Sequence, residues 1–385
     1  MAARIRILTV IGARPQIIKA AAISRAIAAS FRDRIEEVLV HTGQHYDGNM
    51  SQVFFDELGI PRPHVDLGVG SAGHAVQTAR MMEGIESQIN AHKPDLVLLY
   101  GDTNSTIAGS VAAARTNVPV AHVEAGLRSF NIRMPEEVNR IVCDHGSTWL
   151  FCPTSTAVNN LEREGLNVNN TAPPSVQHPF VDMCGDVMYD NSLHFVALAT
   201  QRSTVLHDLD LQQAGYALVT VHRDANTDDP TRLEQIFSAL IKLHDLYELA
   251  LVLPLHPRTR KVMENGSSRK LFDAVRARKA IHLIAPVGFL DMIALERSAR
   301  LVITDSGGVQ KEAYFFGRPC IILRNETEWV ELVEAGQAAL CDADPDRILA
   351  ACDRYLTGAL PDCPAIFGDG DAAEKICARL VADLG

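Results

Sequence analysis

Acidic residues in the first half of the chain stand where strands of a predicted sheet end. The segment 122–137 contains Glu124 and Glu136, and the apolar run Leu96–Tyr100 stops just before Gly101 and Asp102. Open α/β sheets bind their ligands beyond the carboxyl ends of the strands. We therefore predict that Asp102, Glu124 and Glu136 meet in one crevice, where carboxylates can take and give protons.

A glycine-rich turn in the second half is suited to binding a phosphate. In the segment 304–313 a strand is predicted to end, two glycines follow Ser306, and a helical pattern begins. The amides at a helix start attract anions, so Ser306, Gly307 and Gly308 can donate to a phosphate, and Glu312, one turn later, can reach ribose hydroxyls. The alternative is an ordinary capped strand–helix turn, which is commoner for a bare Ser-Gly-Gly sequence.

Basic side chains follow several other predicted strands. They are Arg14, Lys19, His222, Arg223, His256, Arg258 and Arg324. Any one of them alone is more often a solvated charge or a structural histidine, but their repetition at equivalent strand ends indicates an anion site. We expect them to hold a nucleotide diphosphate while the acids of the first half act on an uncharged sugar ring.

Neither a nicotinamide cofactor nor a metal ion is predicted. A Gly-x-Gly-x-x-Gly sequence, which binds dinucleotides, is absent at every predicted strand end. His122, Asp144 and His145 are possible metal ligands, but they lack a tight spacing such as His-Glu-x-x-His.

Length and composition indicate a two-domain intracellular protein. A chain of 385 residues with 47% hydrophobic content exceeds what one core usually serves. Its net charge of −11 argues against binding nucleic acid or an anionic membrane surface. The 8 cysteines are scattered without Cys-x-x-Cys pairs, as is typical of reduced cytosolic thiols, and no stretch reaches membrane-spanning length.

Short β-branched runs alternate with longer helical patterns, as in parallel sheets covered by helices. The predicted strands are 5–11, 38–42, 96–100, 118–122, 150–152, 217–221, 250–254, 281–284, 301–304 and 320–323. A patch rich in Pro, Asn and Asp, 167–190, separates two sets and is the predicted hinge. We predict an α/β fold of two doubly wound Rossmann-like domains, 1–183 and 184–365, that face a central cleft. A single (β/α)₈ barrel is the alternative, which the interruption disfavours.

The order of these motifs is similar to that of a known family. The motifs are GARPQ (12–16), TGQH (42–45), GDTN (101–104), HVEAGLR (122–128), PEEVNR (135–140), HR (222–223), TDSGG (304–308) and FGDG (367–370). With them the chain resembles, nearly end to end, the non-hydrolysing UDP-N-acetylglucosamine 2-epimerases. The resemblance implies a fold like that of B-type glycosyltransferases, a cytoplasmic homodimer, no redox cofactor, and a last helix near 372–382 that packs back on the first domain, so that 366–385 belong to it.

The resemblance also implies a mechanism and roles for residues. UDP is eliminated to give 2-acetamidoglucal and is then added back after a proton reaches the opposite face. Asp102, Glu124 and Glu136 are the implied acid and base groups, in an order left open, and His222 is implied to lie nearest the departing diphosphate. The implied nucleotide-binding residues are Arg14, Lys19, Ser306, Gly307, Gly308, Glu312 and Arg324, and further possible site residues are His45, His256, Arg258 and Met292.

Some positions depart from the family pattern. Ala225 replaces a frequent Glu after the His-Arg pair, and Val287 and Met292 replace a Gln and an aromatic residue at which the uracil is expected to bind. The segment Gln44-His45 lacks a second Gln, which weakens the expectation that a second substrate molecule activates the enzyme.

The substrate and the reaction have alternatives. UDP-N-acetylglucosamine is the first choice, and a UDP-2,3-diacetamido-2,3-dideoxy-glucuronate 2-epimerase is the alternative, in which Arg128 or Arg133 pairs the C6 carboxylate. The other role open to the two arginines is to hold the arm through surface ion pairs, worth roughly 0–1 kcal/mol each. More distant alternatives are a retaining glycosyltransferase of the same fold and a non-catalytic sensor of sugar nucleotides.

Overall fold

The computed structural model describes residues 4–44, 61–264, 269–360 and 362–385. The chain divides into two compact units, and each is described separately. Unit 1 consists of Met1–Asn191 and Ala365–Gly385, and unit 2 of Ser192–Pro364.

Unit 1 is built on a 7-stranded parallel sheet with the strand order β3-β2-β1-β4-β5-β6-β7. Its strands are β1 (Ile5–Ile11), β2 (Ile35–His41), β3 (Val65–Asp66), β4 (Leu96–Tyr100), β5 (Val120–Val123), β6 (Trp149–Cys152) and β7 (Phe180–Met183). The central strands are apolar without alternation because helices cover both faces of such a sheet, and every residue of β4 is buried.

The helices of unit 1 are α1 (Arg14–Ala26), α2 (His74–His92), α3 (Asn104–Thr116), α4 (Pro135–His145), α5 (Ser155–Arg163) and the returning α16 (Ala372–Leu384). Helix α6 (Val187–Arg202) contains the division between the units. Local sequence starts and ends these helices: Thr103 accepts a hydrogen bond from the Ser105 amide, Pro135 begins α4, and Asn117 ends α3 in the left-handed conformation.

Unit 2 is built on a 6-stranded parallel sheet with the order β10-β9-β8-β11-β12-β13. Its strands are β8 (Tyr216–Thr220), β9 (Ala250–Pro254), β10 (Ile281–Ile284), β11 (Leu301–Thr304), β12 (Cys320–Ile322) and β13 (Ala338–Leu340). Its helices are α7 (Val205–Asp208), α8 (Asp224–Thr227), α9 (Pro230–Tyr247), α10 (Pro257–Glu264), α11 (Arg269–Arg276), α12 (Phe289–Ser298), α13 (Gly307–Phe315), α14 (Val330–Glu334) and α15 (Pro345–Thr357).

Each sheet has one point at which the strand order reverses, between β1 and β4 in unit 1 and between β8 and β11 in unit 2. Such a switch point opens a crevice at the carboxyl ends of the strands, where doubly wound folds bind ligands. The α/β prediction of two doubly wound sheets is therefore confirmed. A single closed barrel is excluded because the strands form two separate sheets.

The segment 167–190, which was predicted to be a hinge, contains a strand of the sheet. It contains β7, whose Phe180 pairs with Trp149 of β6, so the segment belongs to the sheet of unit 1. The division between the units falls at Asn191 and Ser192, inside a helix, rather than at 183 and 184.

Helix α16 packs on α1 in unit 1, with Ile376, Cys377 and Leu380 fully buried. Trp149 donates from Nε1 to Asp383 at 2.8 Å, and Arg379 stacks over the Phe180 ring at 3.8 Å. Among the described residues, no helix is both long enough and apolar enough to cross a membrane.

Candidate active site

Glu124 has the least ordinary backbone at the switch point of unit 1. Its φ is 71°, in the left-handed region that non-glycine residues rarely adopt, and such strain is retained mainly at functional sites. Its carboxylate is 9% exposed and forms an ion pair with Lys19. A Cβ placed on Gly101 would lie 3.0 Å from Lys19 Nζ and 3.2 Å from Glu124 Oε2, so this pair lies against the end of β4, beside Asp102.

Helix α4 holds Asp102 and presents Glu136. Arg140 Nη2 donates to Asp102 Oδ2 at 2.5 Å, and Asn139 Nδ2 donates to the Asp102 carbonyl at 2.8 Å. Glu136 is exposed in the first turn of the same helix. Sequence reasoning missed the roles of Asn139 and Arg140, although their spacing of three and four residues from Glu136 could have placed them on its face of the helix.

Glu137 fixes the arm 127–134 that precedes α4. It accepts hydrogen bonds from the Ser129 amide at 2.9 Å, the Ser129 hydroxyl at 3.0 Å and the Phe130 amide at 2.9 Å, and Arg140 donates to it at 2.8 Å. Burial opposes its ionisation, but the hydrogen bonds from Ser129, Arg140 and Phe130 outweigh burial and lower the pKa of Glu137. The arm is thereby anchored to the helix that carries Glu136.

A buried network of charges lies beneath these acids. His122 directs Nδ1 to Asp144 at 2.6 Å and Nε2 to the Gly101 carbonyl at 2.8 Å, so both ring nitrogens face acceptors. Burial disfavours the imidazolium, but Cys143 and Asp144 outweigh it and raise the pKa of His122 well above its usual value. With both nitrogens committed, His122 is a structural cation and is unsuited to the metal-ligand role considered from the sequence.

Arg128 completes this network. Its guanidinium donates to Asp144 at 2.7 Å and to the two carboxylate oxygens of Glu164 at 2.6 and 2.8 Å, and the side chain is 1% exposed. The suggestion that Arg128 could pair a substrate carboxylate is therefore wrong.

Groups of the protein itself occupy several donors at the end of β1, where Arg14 and Lys19 are predicted to bind a diphosphate. The amides of Gly12 and Ala13 donate to Gln16 Oε1 at 2.9 and 3.1 Å, so this side chain satisfies two amide donors beside the start of α1. Gln16 Nε2 in turn donates to the Tyr100 carbonyl at 2.9 Å. Arg14 is exposed at the start of α1. Lys19, expected on a diphosphate, is paired with Glu124 instead.

At the switch point of unit 2, Asp305 organises the residues after β8. Its fully buried carboxylate accepts hydrogen bonds from the amides of His222 and Arg223 at 3.0 Å and from Asn226 Nδ2 at 3.1 Å, and it faces His222 Nδ1 at 3.4 Å. Burial lowers the pKa of His222; Asp305 opposes this shift, whereas Arg223 and His256 reinforce it. From the sequence, Asp305 was apparent only as part of the motif TDSGG, and this role was not predicted.

The glycine-rich turn begins helix α13, as predicted. Ser306 is the N-cap, with its amide donating to Thr304 Oγ1 at 2.9 Å. The amides of a first helical turn have no partners within the helix, which makes them available to an anion. A Cβ on Gly307 would overlap Glu328 Oε1, and Glu328 pairs with Arg324 at 2.9 Å, so Arg324 is held close to this helix start.

The other predicted site residues are placed as follows. Glu312 lies on α13 beside the carboxyl of Glu296, and Met292 is half-buried in α12. His256 is exposed directly before α10, and Arg258 lies in the first turn of that helix. His45 lies outside the described residues. The structure thus brings together Asp102, Glu124, Lys19 and the helix of Glu136 in unit 1, and His222, Asp305, Arg324 and the start of α13 in unit 2.

Comparisons with known proteins agree with one another. A sequence model of the family described as UDP-N-acetylglucosamine 2-epimerase matches residues 28–381. The UDP-2,3-diacetamido-2,3-dideoxy-D-glucuronate 2-epimerase of Pseudomonas aeruginosa is 45% identical over 97% of this chain and 99% of that protein. The UDP-N-acetylglucosamine 2-epimerase of Methanocaldococcus jannaschii is 38% identical over 95% of this chain and 96% of that protein. A crystal structure of the M. jannaschii UDP-GlcNAc 2-epimerase in complex with UDP-GlcNAc and UDP has a TM-score of 0.83, at 37% identity, and covers 98% of this chain and 100% of its own.

Proposed function

The chain belongs to the UDP-N-acetylglucosamine 2-epimerase family, and we propose that it interconverts UDP-N-acetylglucosamine and UDP-N-acetylmannosamine. It is an isomerase of UDP-sugars; the choice of sugar and the roles of its residues are the proposed parts. The observation that carries the proposal is Glu124, a strained residue whose carboxylate, paired with Lys19, lies beside Asp102 at a switch point.

The chemistry of the sugar explains why carboxylates and an anion site are both needed. The C2 hydrogen is not adjacent to a carbonyl group, so removing it directly would leave an unstabilised carbanion. In the proposed reaction a base takes the C2 proton while the C1–O bond breaks, which gives 2-acetamidoglucal and UDP. A proton then returns to C2 from the opposite face as a UDP oxygen re-forms the bond to C1, so that all atoms balance.

The acids of unit 1 are proposed to move the protons. Lys19 and Arg140 fix the carboxylates of Glu124 and Asp102, and α4 presents Glu136 one turn before Arg140. Two bases on opposite faces, or one base with a relay partner, would both serve.

Unit 2 is proposed to bind UDP and to stabilise it as a leaving group. The first-turn amides of α13 and Arg324 suit the phosphates. His222, with Nδ1 toward Asp305, is proposed to gain a proton at Nε2 when the diphosphate binds and to donate it as a hydrogen bond to the leaving oxygen. Losing one preorganised donor of this kind costs about 3 kcal/mol.

The proposal is tested by incubating the enzyme with UDP-N-acetylglucosamine in heavy water. We expect UDP-N-acetylmannosamine and deuterium at C2 without any acceptor. A retaining glycosyltransferase would instead need an acceptor and keep the C2 hydrogen. A sensor would bind the nucleotide, in the parent and in Glu124→Gln, with no turnover in either.

A second candidate substrate is UDP-2,3-diacetamido-2,3-dideoxy-glucuronate, favoured by the relative from P. aeruginosa that is 45% identical and named for it. Because Arg128 is committed to Asp144 and Glu164, Arg133, exposed on the arm 127–134, is the proposed partner of the C6 carboxylate.

Side-by-side turnover of both UDP-sugars decides between the candidates. If the uronate is the substrate, Arg133→Leu will lower its kcat/KM about tenfold or more, as expected for a charge-assisted hydrogen bond, and leave the slower neutral sugar unaffected. Faster turnover of UDP-N-acetylglucosamine by the parent supports the first candidate.

We also propose, from the family resemblance, that the enzyme is a cytoplasmic homodimer. The scattered cysteines are compatible with a reducing compartment. Sedimentation equilibrium at micromolar concentration tests the assembly, and a monomer throughout the range would contradict it.

A further inference from the structure

A buried acid in unit 2 has no role in the scheme above. Glu296 lies on α12 and is 0% exposed. Within the described part of the chain, no N–H or hydroxyl group donates to either of its carboxylate oxygens. The group that its carboxyl does meet is the carboxyl of Glu312, on the neighbouring helix α13.

Two carboxyl groups in contact cannot both be ionised without a large cost, so such a pair holds one proton. The buried member keeps it, since an uncompensated charge in the interior costs more than a neutral acid. Burial, reinforced by Glu312, raises the pKa of Glu296 well above its usual value.

Two polar neighbours of Glu296 among the described residues do not supply a counter-charge. Tyr216 is fully buried and donates its hydroxyl to the Leu295 carbonyl at 2.6 Å, and Cys320 is a buried thiol whose pKa is raised by burial. A protonated Glu296 can donate a hydrogen bond, and the carboxyl of Glu312 is the acceptor beside it.

We propose that Glu296 is a positioning residue that donates its carboxyl proton to one oxygen of Glu312 and aims the other oxygen at the ribose hydroxyls of UDP. This inference rests on the proposed function, because it requires Glu312 to face the ribose. Glu312 lies on α13 five positions after Gly307 and is only partly buried, on the helix whose start is the proposed phosphate site.

The test compares the binding of two ligands to the parent and to variants of the full-length chain. Binding of UDP and of 2′,3′-dideoxy-UDP is measured by calorimetry for the parent, Glu296→Gln and Glu296→Leu. In the parent, UDP should bind about tenfold or more tighter than the dideoxy analogue, the ratio expected for hydrogen bonds to a charged group. Glu296→Leu should remove most of that ratio, and Glu296→Gln, which keeps a donor, should retain it.

The matched control is Tyr216→Phe, which removes a neighbouring buried hydroxyl bonded to α12 and should leave the ratio unchanged even if the melting temperature falls. An unchanged ratio in Glu296→Leu, an equal loss in Glu296→Gln, or a parent that binds both ligands equally would each overturn the proposal. If Glu296→Leu does not fold, Glu296→Met, which also lacks a donor, is measured in its place and should likewise lose most of the ratio. If the ligand ratios contradict the role of Glu296 while the parent exchanges the C2 hydrogen normally, only this inference fails and the epimerase function stands. If the parent does not exchange the C2 hydrogen, the epimerase function itself is contradicted.

Discussion

At the scale of single residues, the types of the site residues could be predicted, but many of their partners could not. The sequence places Asp102, Glu124 and Glu136 near strand ends because the apolar runs stop there. It does not show that Lys19 pairs with Glu124, or that Gln16 occupies the amides of Gly12 and Ala13. A basic residue near a helix start suits a phosphate and a carboxylate equally, and only the folded geometry distinguishes them.

A substitution of Lys19 distinguishes its two possible roles, which are to fix the carboxylate of Glu124 and to bind the diphosphate. Lys19→Met should slow C2 exchange about 100-fold or more while UDP affinity stays within about threefold, because the ammonium fixes the carboxylate that is proposed to transfer the proton. Steady-state kinetics and calorimetry measure the two effects. Lys242→Met, at an exposed position on α9, is the control. A large loss of UDP affinity would restore the interpretation in which Lys19 binds the diphosphate.

His122 gives a prediction about pH. Its folded-state pKa is raised above 6.5, so its contribution to stability is fully present below pH 6.5 and is lost as the pH rises through the folded-state value. Asp144, with a pKa lowered from 3.8, contributes above pH 3.8 and loses its contribution at more acidic pH. The cost of His122→Gln in unfolding free energy should therefore be greatest near pH 6 and shrink toward pH 9, by at most about 1.4 kcal/mol per pH unit.

Urea unfolding at several pH values measures this dependence, with His207→Gln, whose side chain is 94% exposed, as the control. A cost for His122→Gln that is the same at pH 6 and pH 9 would show that the imidazole is neutral in the folded protein.

At the scale of elements, the strands inside both sheets were predictable, whereas of the four edge strands only β10 was. Strands β1, β4 and β11 match their predicted bounds because they are mainly apolar and buried on both faces, with the partly buried Arg6 of β1 as the exception. Strand β7 is only partly buried and follows a Pro- and Asn-rich stretch, so its sequence resembles a hinge. Strand β13, Ala338–Leu340, lacks the β-branched residues that mark a strand.

Gly12 gives a prediction about how the end of β1 is packed. A Cβ at this position would overlap the hydroxyl oxygens of Thr42 and Ser105, which are bonded to each other at 2.8 Å. Gly12→Ala should lower the free energy of unfolding by about 1–3 kcal/mol. Gly73→Ala, where an added Cβ meets nothing within 4 Å, should stay within about 0.5 kcal/mol of the parent. Equal stability of both variants would mean that β1 and α3 are packed less closely.

At the scale of the whole molecule, two doubly wound units could be predicted from the rhythm of the sequence, and the return of the last helix only from the family resemblance. Composition does not show which sheet a terminal amphipathic helix will cover. The contacts that fix α16 join residues far apart in the chain, such as Trp149 with Asp383 and Asp190 with the amides of Ala372 and Ala373.

Because α16 packs on α1, we predict that its buried side chains contribute strongly to the stability of unit 1. Leu380→Ala removes a fully buried side chain and should cost about 2–5 kcal/mol, seen as an earlier calorimetric transition. Leu246→Ala, at a side chain that is 68% exposed, should change stability by no more than about 0.5 kcal/mol. A negligible effect at Leu380 would mean that α16 is dispensable for the stability of unit 1.

The proposed reaction requires that an acid of unit 1 exchanges the C2 proton of a bound UDP-sugar. The most direct measurement is the rate at which deuterium from heavy water enters C2 of saturating UDP-N-acetylglucosamine, followed by NMR for the parent, Glu124→Gln and the exposed control Glu162→Gln. We predict rapid entry in the parent and the control, and a rate lower by about 100-fold or more in Glu124→Gln, with UDP binding preserved. Deuterium entry at the parental rate in Glu124→Gln, or epimerisation by the parent without deuterium at C2, would contradict the account.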